Sequence, residues 1–232
     1  MKYKLTIISD THNKHKVLNG DLPGGDILLH GGDISSMGYE HEIEGFAKWY
    51  DKLDNYDHKA FIAGNHDWGF QDNKVQINGL VDSYEWITYL EDSKLTFVNK
   101  EATEMCSIWG SPWQPEFYNW AFNLPRNGWE LQEKWMRIPS DIDILVTHGP
   151  PYGILDVSSY GNVNAGCEVL LEAVKVKKPK IHIFGHIHSG FGYQYVDGTH
   201  YINASMLDER YKYNRKPLTF DWNPQTNELE FV

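Results

Sequence analysis

Five short apolar runs recur along this chain, and each stops in a cluster of Gly, Asn, Asp or His. Leu5-Thr6-Ile7-Ile8 leads into Ser9-Asp10-Thr11-His12-Asn13, Ile27-Leu28-Leu29 into His30-Gly31-Gly32-Asp33, and Ala60-Phe61-Ile62-Ala63 into Gly64-Asn65-His66-Asp67. Ile144-Leu145-Val146 leads into Thr147-His148-Gly149-Pro150-Pro151, and Ile181-His182-Ile183-Phe184 into Gly185-His186-Ile187-His188. A β-prone apolar run bounded by turn formers reads as a buried strand ending in a loop. Helical periodicity lies between some of the runs: Ile43, Phe46, Ala47, Tyr50 and Leu53 recur at three- and four-residue steps, as do Val169, Leu170, Ala173 and Val174 before Pro179. Strands alternating with helices predict α/β layers. In such sheets ligands bind beyond the carboxyl ends of the strands, where the polar clusters fall. The unequal spacing of the clusters, from residue 10 to 33, 65, 148 and 186, argues against a repeat protein. No linker or low-complexity stretch interrupts the chain, so residues 1–232 read as a single domain.

The C-terminal part has its own pattern. Tyr201-Ile202 and Leu218-Thr219-Phe220 are β-prone, Asn223-Pro224-Gln225-Thr226-Asn227 is a turn, and Leu229-Glu230-Phe231-Val232 returns as a hairpin. Lys175, Lys177, Lys178 and Lys180 read as a solvated helix end favoured by the dipole.

Charge and cysteine content narrow the functions. A formal net charge of −11 argues against an extended nucleic-acid surface, which needs Lys and Arg to displace counterions. It leaves room for a small anionic substrate held by bound metal. The two cysteines, Cys106 and Cys167, do not make a disulfide framework and fit a reducing, cytoplasmic setting as small buried residues. The opening run Leu5–Ile8 is too short for a signal peptide or a membrane helix. The sequon Asn203-Ala204-Ser205 then reads as a coincidence.

Taken singly, the polar residues have structural readings: Asp10 capping a helix, Asn65 in a turn, His148 satisfied in a core. Taken together, Asp10, His12, Asp33, Asn65, His148, His186 and His188 put a nitrogen or oxygen ligand at every strand end, with no cysteine. Two divalent metals sharing one carboxylate would use such a set. Mixed imidazole, carboxylate and amide ligands suit Mn, Fe, Zn or Ni. Two such ions roughly 3.5–4 Å apart clamp a phosphoryl group and turn a bridging water into a hydroxide nucleophile.

Asp-Thr-His, Gly-Gly-Asp, Gly-Asn-His-Asp, Thr-His-Gly and Gly-His-Ile-His, in that order, resemble the five motifs of the calcineurin-like metallophosphoesterase superfamily. Phe122-Asn123-Leu124-Pro125-Arg126, the segment Asp143–Pro151 and Tyr201–Ser205 resemble one branch, which joins animal metallophosphoesterase-domain-containing proteins to bacterial class III cyclic-nucleotide phosphodiesterases. The resemblance covers nearly the whole chain. It implies an αββα sandwich of two mixed β-sheets flanked by helices, with the metals at the carboxyl ends of the strands. It also implies that Asp10, His12, Asp33 and His188 hold one ion, and that Asp33, Asn65, His148 and His186 hold the other. His66 would contact the phosphate and act as the acid for the leaving oxygen. Many members carry an Asp three residues after the bridging Asp, where it orients this histidine. Ser36 stands there instead, which leaves Asp67 as the candidate catalytic partner of His66. His30, His182, Asn13 and Asn203 adjoin the motifs as supporting residues.

Residues 109–135 hold five of the nine tryptophans, Trp109, Trp113, Trp120, Trp129 and Trp135, in a segment made irregular by Pro112, Pro115 and Pro125. Packing is one reading; a base-stacking wall beside the metals is the other, with Asn65, His66, Trp113 and Phe117 as substrate-binding candidates. The implied activity is a dinuclear metal-dependent phosphodiesterase acting on small nucleotide-type diesters (2′,3′- or 3′,5′-cyclic nucleotides). A phosphomonoesterase or protein phosphatase with the same site, or a slow nucleotide-binding relative, is the alternative. No membrane partner is expected, and a homodimer is left open.

Overall fold

The computed structural model describes residues 2–98 and 105–232; Met1 and residues 99–104 lie outside the described residues. All five apolar runs form strands: β1 (Tyr3–Ile8), β2 (Gly25–His30), β3 (Tyr56–Phe61), β9 (Ile144–Thr147) and β12 (Ile181–Phe184). The first three join β4 (Thr88–Tyr89), β15 (Leu218–Asn223) and β16 (Glu228–Phe231) in a sheet of order β16-β15-β1-β2-β3-β4. The other two join β5 (Ser93–Val98), β6 (Met105–Ser111), β13 (Gly192–Val196) and β14 (Thr199–Asn203) in a sheet of order β13-β14-β12-β9-β6-β5. The run β1-β2-β3-β4 is parallel, as is β14-β12-β9-β6, and the flanking strands pair antiparallel. The C-terminal hairpin expected from the sequence is β15 and β16, with β15 seated beside β1.

Side-chain alternation along these strands builds the layers. Leu5 and Ile7 of β1, Ile27 and Leu29 of β2, Ile144 and Val146 of β9, and Ile181 and Ile183 of β12 all bury into one cluster shared by the two sheets. The opposite faces pack on helices. Ile8, Leu28 and Phe61 meet Ile43, Phe46 and Tyr50 of α1 (Glu40–Asp51), Phe70 of α2 (Gly69–Asp72) and Ile77 of α3 (Lys74–Val81). Leu145, Phe184 and Tyr201 meet Leu131 and Trp135 of α4 (Trp129–Met136) and Leu170 and Val174 of α5 (Glu168–Lys177). The result is the expected αββα sandwich.

Helix ends follow local chemistry. The Glu42 carboxylate reaches back to the Tyr39 N–H at 3.0 Å to close the start of α1. Cys167 Sγ accepts from Leu170 N–H at the start of α5. That helix ends at Lys178 in the left-handed region, φ 52°, with Lys175 and Lys177 in its last turn. Two short ladders, β7 (Gln114–Pro115) with β8 (Asn123–Leu124) and β10 (Val157–Ser158) with β11 (Val163–Asn164), stand outside the main sheets. Asn203 is fully buried and its amide donates to the Leu155 and Ile187 carbonyls, so the sequon is inaccessible in this fold.

Candidate metal centre

The parallel strands all deliver their carboxyl ends to one edge of the sandwich, and there the two sheets approach each other. Ser9, just past β1, bridges to Ser205, just past β14. Asp10 follows, and its carboxylate accepts the backbone N–H of His186 (3.0 Å) and the Ser205 hydroxyl (3.0 Å). This approach demands glycine. A Cβ on Gly185 would lie 2.0 Å from Asp10 Oδ2, and one on Gly64 would lie 2.3 Å from Asp33 Oδ1. Four of the expected ligands hold a left-handed backbone: Asp10 (φ 53°), His12 (φ 40°), Asp33 (φ 54°) and His186 (φ 65°). Non-glycine residues enter this region at a cost, and such strain gathers at functional sites.

All seven expected ligands come together. Asp10, His12 and His188 form one group of mutually close ligand atoms, and Asp10, Asp33 and His148 another. Asp33 Oδ2 lies 3.6 Å from His12 Nε2 and 3.4 Å from His148 Nε2. Asn65 Oδ1 lies 3.0 Å from His148 Nε2 and 2.8 Å from His186 Nδ1. His188 Nε2 is 3.3 Å from Asp10 Oδ1. Carbonyl groups set the imidazoles from behind: His148 Nδ1–H donates to Gly31 O at 2.9 Å, and His188 Nδ1–H to Asp208 O at 3.0 Å. Each Nε2 is thereby aimed at the cluster, as outer hydrogen bonds orient ligating histidines.

The electrostatics fit a cation. Among the described residues, neither nitrogen of buried His12 has a hydrogen-bond partner, a costly state for an imidazole unless something else takes its lone pair. Burial keeps His12 and His186 neutral, at about 4 and about 3. Burial also opposes a charged His148, yet Asp33 and Asp10 outweigh it and raise His148 to about 9. The same burial opposes ionised Asp10 and Asp33, but the neighbouring histidines, His188 for Asp10 and His148 for Asp33, hold both below the ordinary carboxylate range. Two carboxylates, four imidazoles and an amide oxygen form a donor set that suits divalent transition metals, and metal would displace the protons now shared among them.

A family model described as calcineurin-like phosphoesterase matches residues 3–190. The chain belongs to that family. Metallophosphoesterase domain-containing protein 1 of Homo sapiens is 37% identical over 94% of this chain and 70% of its own length. Among solved structures, phosphopantetheinyl hydrolase of Mycobacterium tuberculosis superposes with a TM-score of 0.60 at 14% identity over 90% of each chain. A Thermus thermophilus protein, TT1561, gives a TM-score of 0.65 at 12% identity over 100% of this chain and 99% of its own. At these identities the structures speak to the fold, while the family match makes the chain a metal-dependent phosphoesterase.

Around this calcineurin-like site the remaining sequence candidates separate. His66 also brings a nitrogen near His12 and Asp33. Its backbone N–H donates to Asp33 Oδ1 at 2.8 Å, and its Nδ1–H donates to the Ser36 carbonyl at 2.7 Å, while Nε2 has no hydrogen-bond partner among the described residues. The orienting group at position 36 is thus the backbone, which explains why a serine is accepted there. Asp67 is not that group. Its carboxylate accepts from Ile34 N–H, Gly64 N–H, Ser35 N–H and the Ser35 hydroxyl, tying the turn after β3 to the turn after β2. Burial, then the charge of Asp33, pushes Asp67 up to about 6. The expectation of a catalytic Asp67 gives way to a structural latch, because adjacent residues on this turn point apart.

A cavity of about 450 Å³ opens over the ligands, with Phe117, Tyr118, Trp120, Tyr160 and Tyr211 among its walls. Phe117 meets His186 edge-on at 5.6 Å. Trp113 is a correction: its indole N–H donates to Asp92 at 3.0 Å and Lys134 sits over its ring at 4.0 Å, so it packs behind the wall. His30 and His182 are supports, each bonded to a threonine hydroxyl, of Thr11 and Thr147. Sequence reasoning missed Ser205, Asp208 and Trp120. Ser205 lay inside a segment already singled out. Asp208 acts through its carbonyl, which no side-chain motif marks. Trp120 was one aromatic among many.

Proposed function

We propose that this metal-dependent phosphoesterase acts on phosphodiesters of nucleotide type, 2′,3′- or 3′,5′-cyclic nucleotides in particular. The lining of the cavity carries this reading. Among the described residues that line it, Arg126 is the one lysine or arginine, and its guanidinium is held by the Gly166 and Ala165 carbonyls and the Glu168 carboxylate. Asp33, Glu116 and Glu209 line the same space. A monoester near neutral pH brings about 1.5–2 negative charges and finds no free cationic side chain in this lining; a diester brings one. The aromatic faces of Phe117, Tyr118 and Tyr160 suit a nucleobase, which stacks without sequence-specific contacts.

In this reading Asp10, His12, Asp33 and His188 hold one divalent ion, and Asp33, Asn65, His148 and His186 hold the second. When bound, such a pair polarises the phosphoryl oxygens and makes water a nucleophile at neutral pH. The chain supplies the rest. Carbonyls of Gly31 and Asp208 keep the His148 and His188 tautomers fixed. His66, anchored through Nδ1, presents Nε2 to the cavity and delivers a proton to the departing oxygen. Buried, unpaired Cys106 and Cys167 support a cytoplasmic setting, and none of the helices described is long and apolar enough to cross a membrane. With Mn-loaded protein, kcat/KM for a 2′,3′-cyclic nucleotide and for an aryl phosphodiester should exceed that for an aryl phosphomonoester. A monoester preference at matched pH and metal would assign the site to a phosphatase instead.

A further inference from the structure

We infer that Trp120 is a positioning residue for His66, fixing the plane of its imidazole for proton delivery. The inference rests on the reading of His66 as the acid. A hydrogen bond from Nδ1–H to Ser36 O pins one ring atom of His66, yet the terminal torsion of a histidine has a broad, two-fold profile. A second restraint is needed to define where Nε2 points. The Trp120 indole provides it: the two rings lie face to face, with centroids 4.1 Å apart and planes 27° from parallel. The His12 ring meets the same imidazole edge-on, at 4.6 Å and 84°. Hydrogen bond, stack and edge contact together leave the ring one orientation.

The segment carrying the indole is fastened to the turn it serves. Ala121 N–H donates to Asn65 O at 3.0 Å, and Phe122 N–H donates to Gln71 Oε1 at 2.7 Å just beyond that turn. Ala121 and Phe122 are buried, which anchors the half-buried Trp120 between core and cavity. Asn65, His66 and the indole therefore move as one body. The indole face turned to His66 is closed to a nucleobase, which separates Trp120 from Phe117, Tyr118 and Tyr160 on the same wall.

A double-mutant cycle on the full chain tests this. Trp120→Met keeps an apolar side chain and removes the ring face; Trp120→Phe keeps a face. With a cyclic nucleotide as substrate, Trp120→Met should lower kcat by roughly 10- to 100-fold, the scale of a small misplacement of a catalytic group, with KM and metal content unchanged. In a His66→Ala background the same change should cost less than about two-fold. Trp120→Phe should recover most of the loss. Equal losses in both backgrounds would overturn the inference, as would a raised KM at unchanged kcat, which marks a base-binding face. A Phe variant that folds yet is as impaired as the Met variant would also overturn it. If His66→Ala alone left turnover intact, the fault would lie with the acid role of His66, and the inference would fall with it.

Discussion

At the scale of single residues, the site separates groups that do chemistry from groups that hold them. Asp67 illustrates the second kind. Each of its carboxylate oxygens accepts two hydrogen bonds, so an amide in its place would turn its NH₂ toward donors whichever way it faced. Asp67→Asn should therefore destabilise the fold by about 1–3 kcal/mol, read by denaturant unfolding, while the folded enzyme keeps its metals. Unchanged stability would contradict the latch. His66, as the proposed acid, would be the first kind. A ribose alkoxide leaves poorly without a proton, whereas a nitrophenolate needs none. His66→Ala should lose roughly 100- to 10,000-fold on a cyclic nucleotide and far less on a nitrophenyl diester, with both ions still bound. Because His66 sits within ligand distance of His12 and Asp33, a lost ion in that variant would show that it ligates metal. The convergence of Asp10, His12, Asp33, Asn65, His148, His186 and His188 was legible in the sequence because strand-end motifs force them onto one rim. The partner of His66 was not, because a backbone carbonyl supplies it and residue 36 reveals nothing of its carbonyl's direction.

At the scale of elements, the five rim strands and helices α1 and α5 were legible: each apolar run is short, β-prone and followed by a polar cluster holding glycine or asparagine, and the two helices carry apolar stripes at three- and four-residue steps. Alternation along the runs sorts Leu5, Ile7, Ile27 and Leu29 to the shared core and Ile8 and Leu28 to the helices. The aromatic segment was not legible. Its prolines break periodicity, and the short β7–β8 ladder that separates Trp113 behind the wall from Phe117 on it joins residues too few to show a pattern. Helix α1 also carries a contact no periodicity announces. The buried Tyr50 hydroxyl lies 2.9 Å from Leu28 O and 3.0 Å from Ala60 O, linking the helix to β2 and β3, the strands that launch Asp33 and Asn65. Tyr50→Phe should lower stability by about 1–3 kcal/mol with metal content unchanged. A variant as stable as the parent would mean that packing alone seats this helix.

At the scale of the molecule, strand β15 of the C-terminal hairpin lies beside β1, and β14 delivers Ser205 to Asp10, so the last part of the chain completes a site begun by the first. We propose on this ground that residues 1–232 act as one domain. The net charge of −11 and the convergence of Asp10 and Asp33 make the rim a place where a cation is favoured and an anionic substrate is not, until metal reverses the local sign. The direct measurement is a titration of chelated protein with Mn²⁺, counting bound ions while following cyclic-nucleotide hydrolysis on the same sample. Without metal there should be no turnover, and the rate should rise to its plateau as the second ion per chain binds. Full turnover by the chelated protein, or a plateau reached with a single ion, would rule out a two-metal mechanism.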